Sequence, residues 1–188
     1  MEFVEPIRDR KKIDDIKKYL QSNKRDYLLF VLGINSALRV SDLLELKFED
    51  LIDANLKPLD HIKLKETKTG KHNKIAISKG VKKAIVDYVK HYYKGQLSDY
   101  IFYSRKGNNQ PIQRQMAWRL IKKAADVVGV KDIGSHSLRK TWAYHSYKAG
   151  TDIVIIQDML NHSSPSVTLR YIGITQDEKD RAVLTLDL

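Results

Sequence analysis

The amino-acid sequence predicts a mainly α fold with one small antiparallel β-hairpin, an α+β class. Apolar residues recur at helical spacing over most of the chain, strict alternation is confined to one stretch between residues 62 and 77, and no repeat, low-complexity tract or Pro/Gly/Ser linker divides the 188 residues. These features describe a single domain, 1–188, whose 42% apolar content is enough to bury a core.

The first helix is expected after Asp9, with Ile13, Ile16, Tyr19 and Leu20 on its apolar face. Tyr27 to Leu38 is so evenly apolar that it predicts a helix suited to the core, and Ser41 stands where an N-cap would start the segment carrying Leu43, Leu44 and Leu46. Ile62 and Leu64 then alternate with charged residues, as do Ile75 and Ile77 beyond the turn TKTGKHN, which is the pattern of a hairpin. The helical period returns from Ser78 through Val81, Ala84, Ile85, Val86 and Val89, then across Met116 to Val128 and Leu138 to Tyr147. Asp152 to Leu160 reads as a short helix, Pro165 marks the first turn of the next, and Asp177 to Leu184 is expected to form a terminal one.

Lys and Arg number 34 against 23 Asp and Glu, a net charge of +11 that points to a polyanionic partner, nucleic acid foremost. The absence of Cys excludes disulfides, thiolate catalysis and thiolate-bound metals, and fits a reducing compartment. The amino end MEFVEPIRDRKK carries charges where a signal peptide needs an apolar stretch, and no apolar run approaches a membrane span of about 18 residues. A cytoplasmic, nucleoid-associated protein with no membrane partner is expected.

Residues suited to phosphate chemistry fall in a few segments. In ALRVSDLLEL, Arg39 follows an apolar helix, and a guanidinium can hold two phosphate oxygens while remaining charged at any working pH; an ordinary ion pair with Asp42 or Glu45 is the simpler alternative. In SHSLRKTWAYH, His136 and Arg139 are three apart and share a helical face, pairing a proton-transfer group with a second cation, although a histidine capping a helix beside a surface arginine would look the same. In LNHSSPSVTLRYI, His162 precedes Tyr171 by nine positions. Tyr171 could be a plain core residue; its phenol becomes a nucleophile only where nearby cations stabilise the phenolate as it forms.

ALRVSDLLEL, HSLR and LNHSSPSVTLRY, in this order from about Leu28 to Ile172, resemble the sequence boxes of the tyrosine recombinases, the phage-integrase family. The resemblance implies the fold of that family's catalytic domain and metal-free, cofactor-free strand exchange on double-stranded DNA. Tyr171 would attack a DNA phosphate to give a 3′-phosphotyrosyl link and release a 5′-hydroxyl. Arg39 and Arg139 would neutralise the phosphorane, His162 would add a hydrogen bond, His136 would accept the tyrosine proton, and Asp42 would support Arg39. The family also uses a hairpin lysine as general acid. Of Lys63, Lys65, Lys68, Lys71 and Lys74, Lys68 in TKTG matches best and Lys71 second, the others serving as a basic face on backbone phosphates.

The sequence departs from the family pattern at Asn161, where a Gly usually precedes the His, and at Ala37, often a Gly. Many integrases carry an amino-terminal core-binding domain that is expected to be absent from 1–188, either because the sequence is part of a longer protein or, the reading favoured here, because it resembles short stand-alone members such as fimbrial phase-variation recombinases. The working unit is expected to be a tetramer on paired DNA sites, with the tail from Ile172 to Leu188 docking on its own domain or on a neighbouring protomer. A type IB topoisomerase that reseals the same strand, and a non-catalytic DNA-binding regulator, are the alternative functions.

Overall fold

The computed structural model describes residues 4–65, 70, 72–104, 109–134, 136–174, 180 and 183–185. Its elements in order are α1 (Arg10–Leu20), α2 (Lys24–Gly33), α3 (Val40–Leu44), a 3-10 turn (Phe48–Asp50), β1 (His61–Lys65), β2 (His72–Ala76), α4 (Lys79–Tyr92), α5 (Arg114–Val127), α6 (Ser137–Lys148), α7 (Ile153–Leu160) and α8 (Pro165–Ile172). The expected mainly helical class with one antiparallel hairpin is observed.

Local chemistry accounts for most boundaries. Asp9 accepts the Lys11 N–H at 2.8 Å and starts α1, whose Ile13, Ile16 and Leu20 face inward. Ser78 opens α4 by accepting from Val81, Asp152 opens α7 by accepting from Val154, and Ser164 caps α8 with Pro165 in its first turn. In the hairpin Ile62 pairs with Ile75 and both are buried, while the neighbouring pair Lys63 and Lys74 faces away from the core.

α2 is the centre of the main core. Leu28, Leu29, Phe30, Val31 and Leu32 are all buried, on every side of the helix, and α1, α4, α5 and α6 pack around it. Each such side chain contributes about 1.5–3 kcal/mol on removal from water. The helix stops at Gly33, short of the expected Leu38, although apolar residues continue. Past that point the Asn35 side chain takes over a carbonyl of the last turn, its Nδ2 donating to the Val31 oxygen at 2.8 Å, and Gly33 itself has no room for a side chain, since a Cβ there would collide with Leu138 of α6. Ala37 then takes a left-handed conformation with φ 57° that no helix accommodates. Arg39, and not Ser41, occupies the N-cap of α3, with extended φ −71° and ψ 149°.

A second, smaller core holds α6, α7 and α8 together. Ala37, Ala143, Ile156, Leu160 and Ile172 are its buried members, with Trp142, Tyr147, Met159 and Tyr171 packed against them. Both departures noted in the sequence lie at its edge, and both have positive φ: Ala37 at 57° and Asn161, the C-cap of α7, at 53°. The family's glycine at each place is thus explained by backbone geometry, which Asn tolerates better than Ala. Among the described residues no helix is long and apolar enough to cross a membrane. Of the expected terminal helix, Asp180, Val183 and Leu184 are helical and the rest lies outside the described residues.

Candidate active site

The ends of four elements meet at the smaller core, and each brings one of the side chains singled out in the sequence. Arg39 sits at the start of α3 with its side chain 16% exposed, and its Nη1 is 3.9 Å from Oδ2 of buried Asp42. Arg139 lies in the first turn of α6, is buried, and donates from Nη2 to the Leu160 carbonyl at 2.9 Å. That bond fastens α6 to the last turn of α7, immediately before His162.

His162 follows the left-handed Asn161, and its main chain is fixed at both ends: its N–H donates to the Gln157 carbonyl at 3.0 Å, and its own carbonyl accepts from Gln157 Nε2 at 3.1 Å. Its ring meets Tyr171 edge-on, with centroids 4.8 Å apart and planes at 74°. Its Nδ1 is 3.0 Å from Oγ1 of Thr168. Tyr171, half-buried in the last turn of α8, has its phenol pushed up to about 12 by burial, with Arg139 and Arg39 pulling the other way.

His136 is the N-cap residue of α6 and is exposed to solvent. Partial desolvation of the ring lowers its pKa first, and Arg139, Arg114, Lys140 and Arg39 then lower it further, in that order. His162 is likewise lowered, by burial and then by Arg139 and Arg39. The same two guanidiniums therefore act on His136, His162 and Tyr171, which makes them the shared electrostatic feature of the cluster. Lys68 and Lys71 lie outside the described residues.

Three neighbours of these groups were not apparent from the sequence. Lys140 places Nζ 5.1 Å from the Tyr171 ring centroid while donating to the Val4 carbonyl at 2.6 Å. Arg114, in the first turn of α5, adds positive charge next to His136. Thr168 bonds His162 from within α8. The segment before α1 also braces the end of α8, where Arg8 Nη2 donates to the Gly173 carbonyl at 3.1 Å and to Glu5 at 2.9 Å.

The model of the Phage integrase family matches residues 9–178. The chain belongs to the phage integrase family. It is 45% identical over 178 residues to the probable integrase/recombinase YoeC of Bacillus subtilis, covering 94% of this chain and 93% of that one. It is 32% identical to the tyrosine recombinase XerA of Pyrococcus horikoshii over 90% of this chain, and spans 58% of that longer protein. Among solved structures, the crystal structure of XerA recombinase superposes with a TM-score of 0.78 at 20% identity, covering 100% of this chain and 66% of that one. The Tn1549 transposon integrase in complex with transposon right end DNA gives 0.67 at 21% identity, covering 97% and 66%. The fold is thus that of the catalytic domain in this integrase family, whose named members recombine DNA.

The two histidines predict how stability depends on pH. Both are lowered from 6.5, so protonation costs more in the folded state and the unfolded chain takes up protons first. Their stabilising contribution is full above about pH 6.5 and is lost as pH falls towards their folded values. The melting temperature is expected to fall between about pH 7 and about pH 5, and replacing both His136 and His162 with Gln should flatten that slope. Calorimetric melts across the range check it, and an unchanged slope in the double variant would place the dependence elsewhere.

Proposed function

We propose that this chain is a site-specific DNA recombinase that cleaves and rejoins strands through a 3′-phosphotyrosyl intermediate, with Tyr171 as nucleophile. The observation that carries this is the meeting of Tyr171 and His162 edge-on, under the influence of Arg39 and Arg139. Two guanidiniums beside a half-buried phenol suit a phosphate whose charge grows during attack.

The steps follow from the protonation states. With its pKa pushed up to about 12, Tyr171 enters as a neutral phenol and must lose a proton as its oxygen bonds to phosphorus. His136, kept neutral by its surroundings, is the group that accepts that proton. Arg39 and Arg139 bind the non-bridging oxygens, Asp42 supports Arg39, and His162 adds a hydrogen bond. The bond to the 5′ oxygen breaks, and Lys68 supplies the proton this leaving oxygen takes up. Attack of a partner strand's 5′-hydroxyl on the phosphotyrosyl phosphorus reverses each step and returns the phenol.

The partner is double-stranded DNA, and the working unit is four protomers on paired sites, in the cytoplasm and on the nucleoid. DNA as partner is supported by the net charge of +11 and by the DNA-bound Tn1549 integrase among proteins of like fold. The reading requires no divalent metal or ATP, since fixed cations take the place of the metal at the phosphate. Covalent protein–DNA adduct on a nicked suicide duplex should therefore form at an undiminished rate in excess EDTA. A strict Mg²⁺ requirement, with free DNA ends and no adduct, would identify a nuclease instead.

A further inference from the structure

Thr168 lies in α8, three residues before Tyr171, and is fully buried at 0% exposure. Its Oγ1 is 3.0 Å from Nδ1 of His162 and 3.3 Å from the carbonyl oxygen of Ser164. A hydroxyl has one hydrogen and can donate to only one of these acceptors at a time. The Ser164 carbonyl already accepts the backbone N–H of Thr168 at 3.3 Å, and the contact with Nδ1 is the shorter of the two hydroxyl contacts.

The groups facing the His162 ring define what that hydrogen does. Partial burial first, then the charges of Arg139 in α6 and of Arg39 at the start of α3, disfavour protonation of the ring; Tyr171 of α8 stands edge-on against it, itself protonated. A neutral imidazole carries one N–H, and the nitrogen that holds it becomes the donor.

We infer that Thr168 donates its hydroxyl hydrogen to Nδ1 and so holds neutral His162 in the tautomer whose hydrogen is on Nε2. Thr168 is then a positioning residue that acts through His162. An Nε2–H can donate to a non-bridging phosphate oxygen without the ring taking up a proton. The opposite tautomer would present a lone pair to that oxygen and repel it. The link to phosphate rests on the proposed role of His162, whereas the tautomer does not.

The sign of one titration separates the two possible directions of the bond. If Thr168 donates, its hydrogen bond stabilises the neutral ring, and removing it raises the pKa of His162. If Thr168 instead accepts from Nδ1–H, it favours the cation, and removing it lowers the pKa. The experiment uses the whole chain without DNA, labelled with 15N-histidine, and reads ring nitrogen shifts by NMR across pH. The His162 signals are assigned by their loss in His162→Gln.

Wild type should show the Nε2–H form, Thr168→Ser should titrate like wild type, and Thr168→Val should titrate at higher pH. An Nδ1–H form in wild type, or a midpoint in Thr168→Val that falls or stays put, overturns the inference. Should Thr168→Val fail to fold, the wild-type shifts alone decide it. On DNA, Thr168→Val should slow adduct formation roughly tenfold and add nothing to the defect of His162→Ala. A raised midpoint with unchanged adduct formation would refute the link to phosphate. His162→Ala reacting at the wild-type rate would remove the proposed role of His162 and leave the tautomer standing.

Discussion

Tyr171→Phe is expected to abolish covalent capture of a nicked suicide duplex, a loss on the order of ten-thousand-fold or more, while DNA affinity stays within about twofold. Only one oxygen leaves the molecule, and the ring that packs edge-on against His162 remains. The half-buried site tolerates this because Phe matches Tyr in shape and removes a polar group whose ionisation burial already opposes. Denaturing gels read the adduct and mobility shifts read the affinity. Adduct persisting in the variant would transfer the nucleophile to another residue, and affinity lost together with capture would make Tyr171 a binding residue.

The arrangement of the two cores bears on how Tyr171 is held. α2 and its neighbours form a large apolar centre, whereas α6, α7 and α8 share a small cluster whose buried members are Ala37, Ala143, Ile156, Leu160 and Ile172. Segments with little buried apolar area open at lower free energy than the global core. α8 is also held by polar ties: Arg8 to Gly173, Lys140 over the Tyr171 ring, and Thr168 to His162. These bonds come from the segment before α1, from α6 and from α8 itself, so movement in any one of them bears directly on the phenol.

Much of this was legible in the sequence for identifiable reasons. Asp9, Ser78 and Asp152 declare helix starts because a side-chain cap is a local interaction, visible within three residues of chain, and Pro165 does so through its fixed φ. The candidate site residues Arg39, His136, Arg139, His162 and Tyr171 were legible because they occur in spaced motifs. The end of α2 was not, because apolar composition continues to Leu38 while the Asn35 side chain bonds the Val31 carbonyl and Ala37 turns left-handed, neither of which apolar periodicity records. Ser41 looked like a cap by residue type, yet the chain turns into α3 at Arg39. Lys140 and Arg114 were missed because what they act on is remote in sequence: Lys140 bonds Val4 across 136 positions, and the charge of Arg114 acts on His136 from another helix. Thr168 stood inside the quoted motif, but its tie to His162 depends on the left-handed turn at Asn161 that brings α7 back onto α8.

Lys68→Ala is expected to slow cleavage of an ordinary phosphodiester by on the order of a hundred- to ten-thousand-fold, and far less when the bridging 5′ oxygen is replaced by sulfur. The leaving alkoxide of a normal strand is strongly basic and departs only as it gains a proton. A thiolate is a much better leaving group and departs without one. Loss of a general acid is thus repaired by sulfur, whereas loss of a lysine that only grips backbone phosphate should harm both substrates alike, and should weaken affinity in a salt-dependent way. The comparison needs single-turnover rates of adduct formation on matched duplexes, so that product release does not mask the chemical step. Lys71→Ala is the internal control, since Lys71 lies three positions further along the sequence with the same charge. Rescue by sulfur in Lys68→Ala alone supports the assignment, equal defects on both substrates remove Lys68 from the proton transfer, and rescue in Lys71→Ala instead moves the role there.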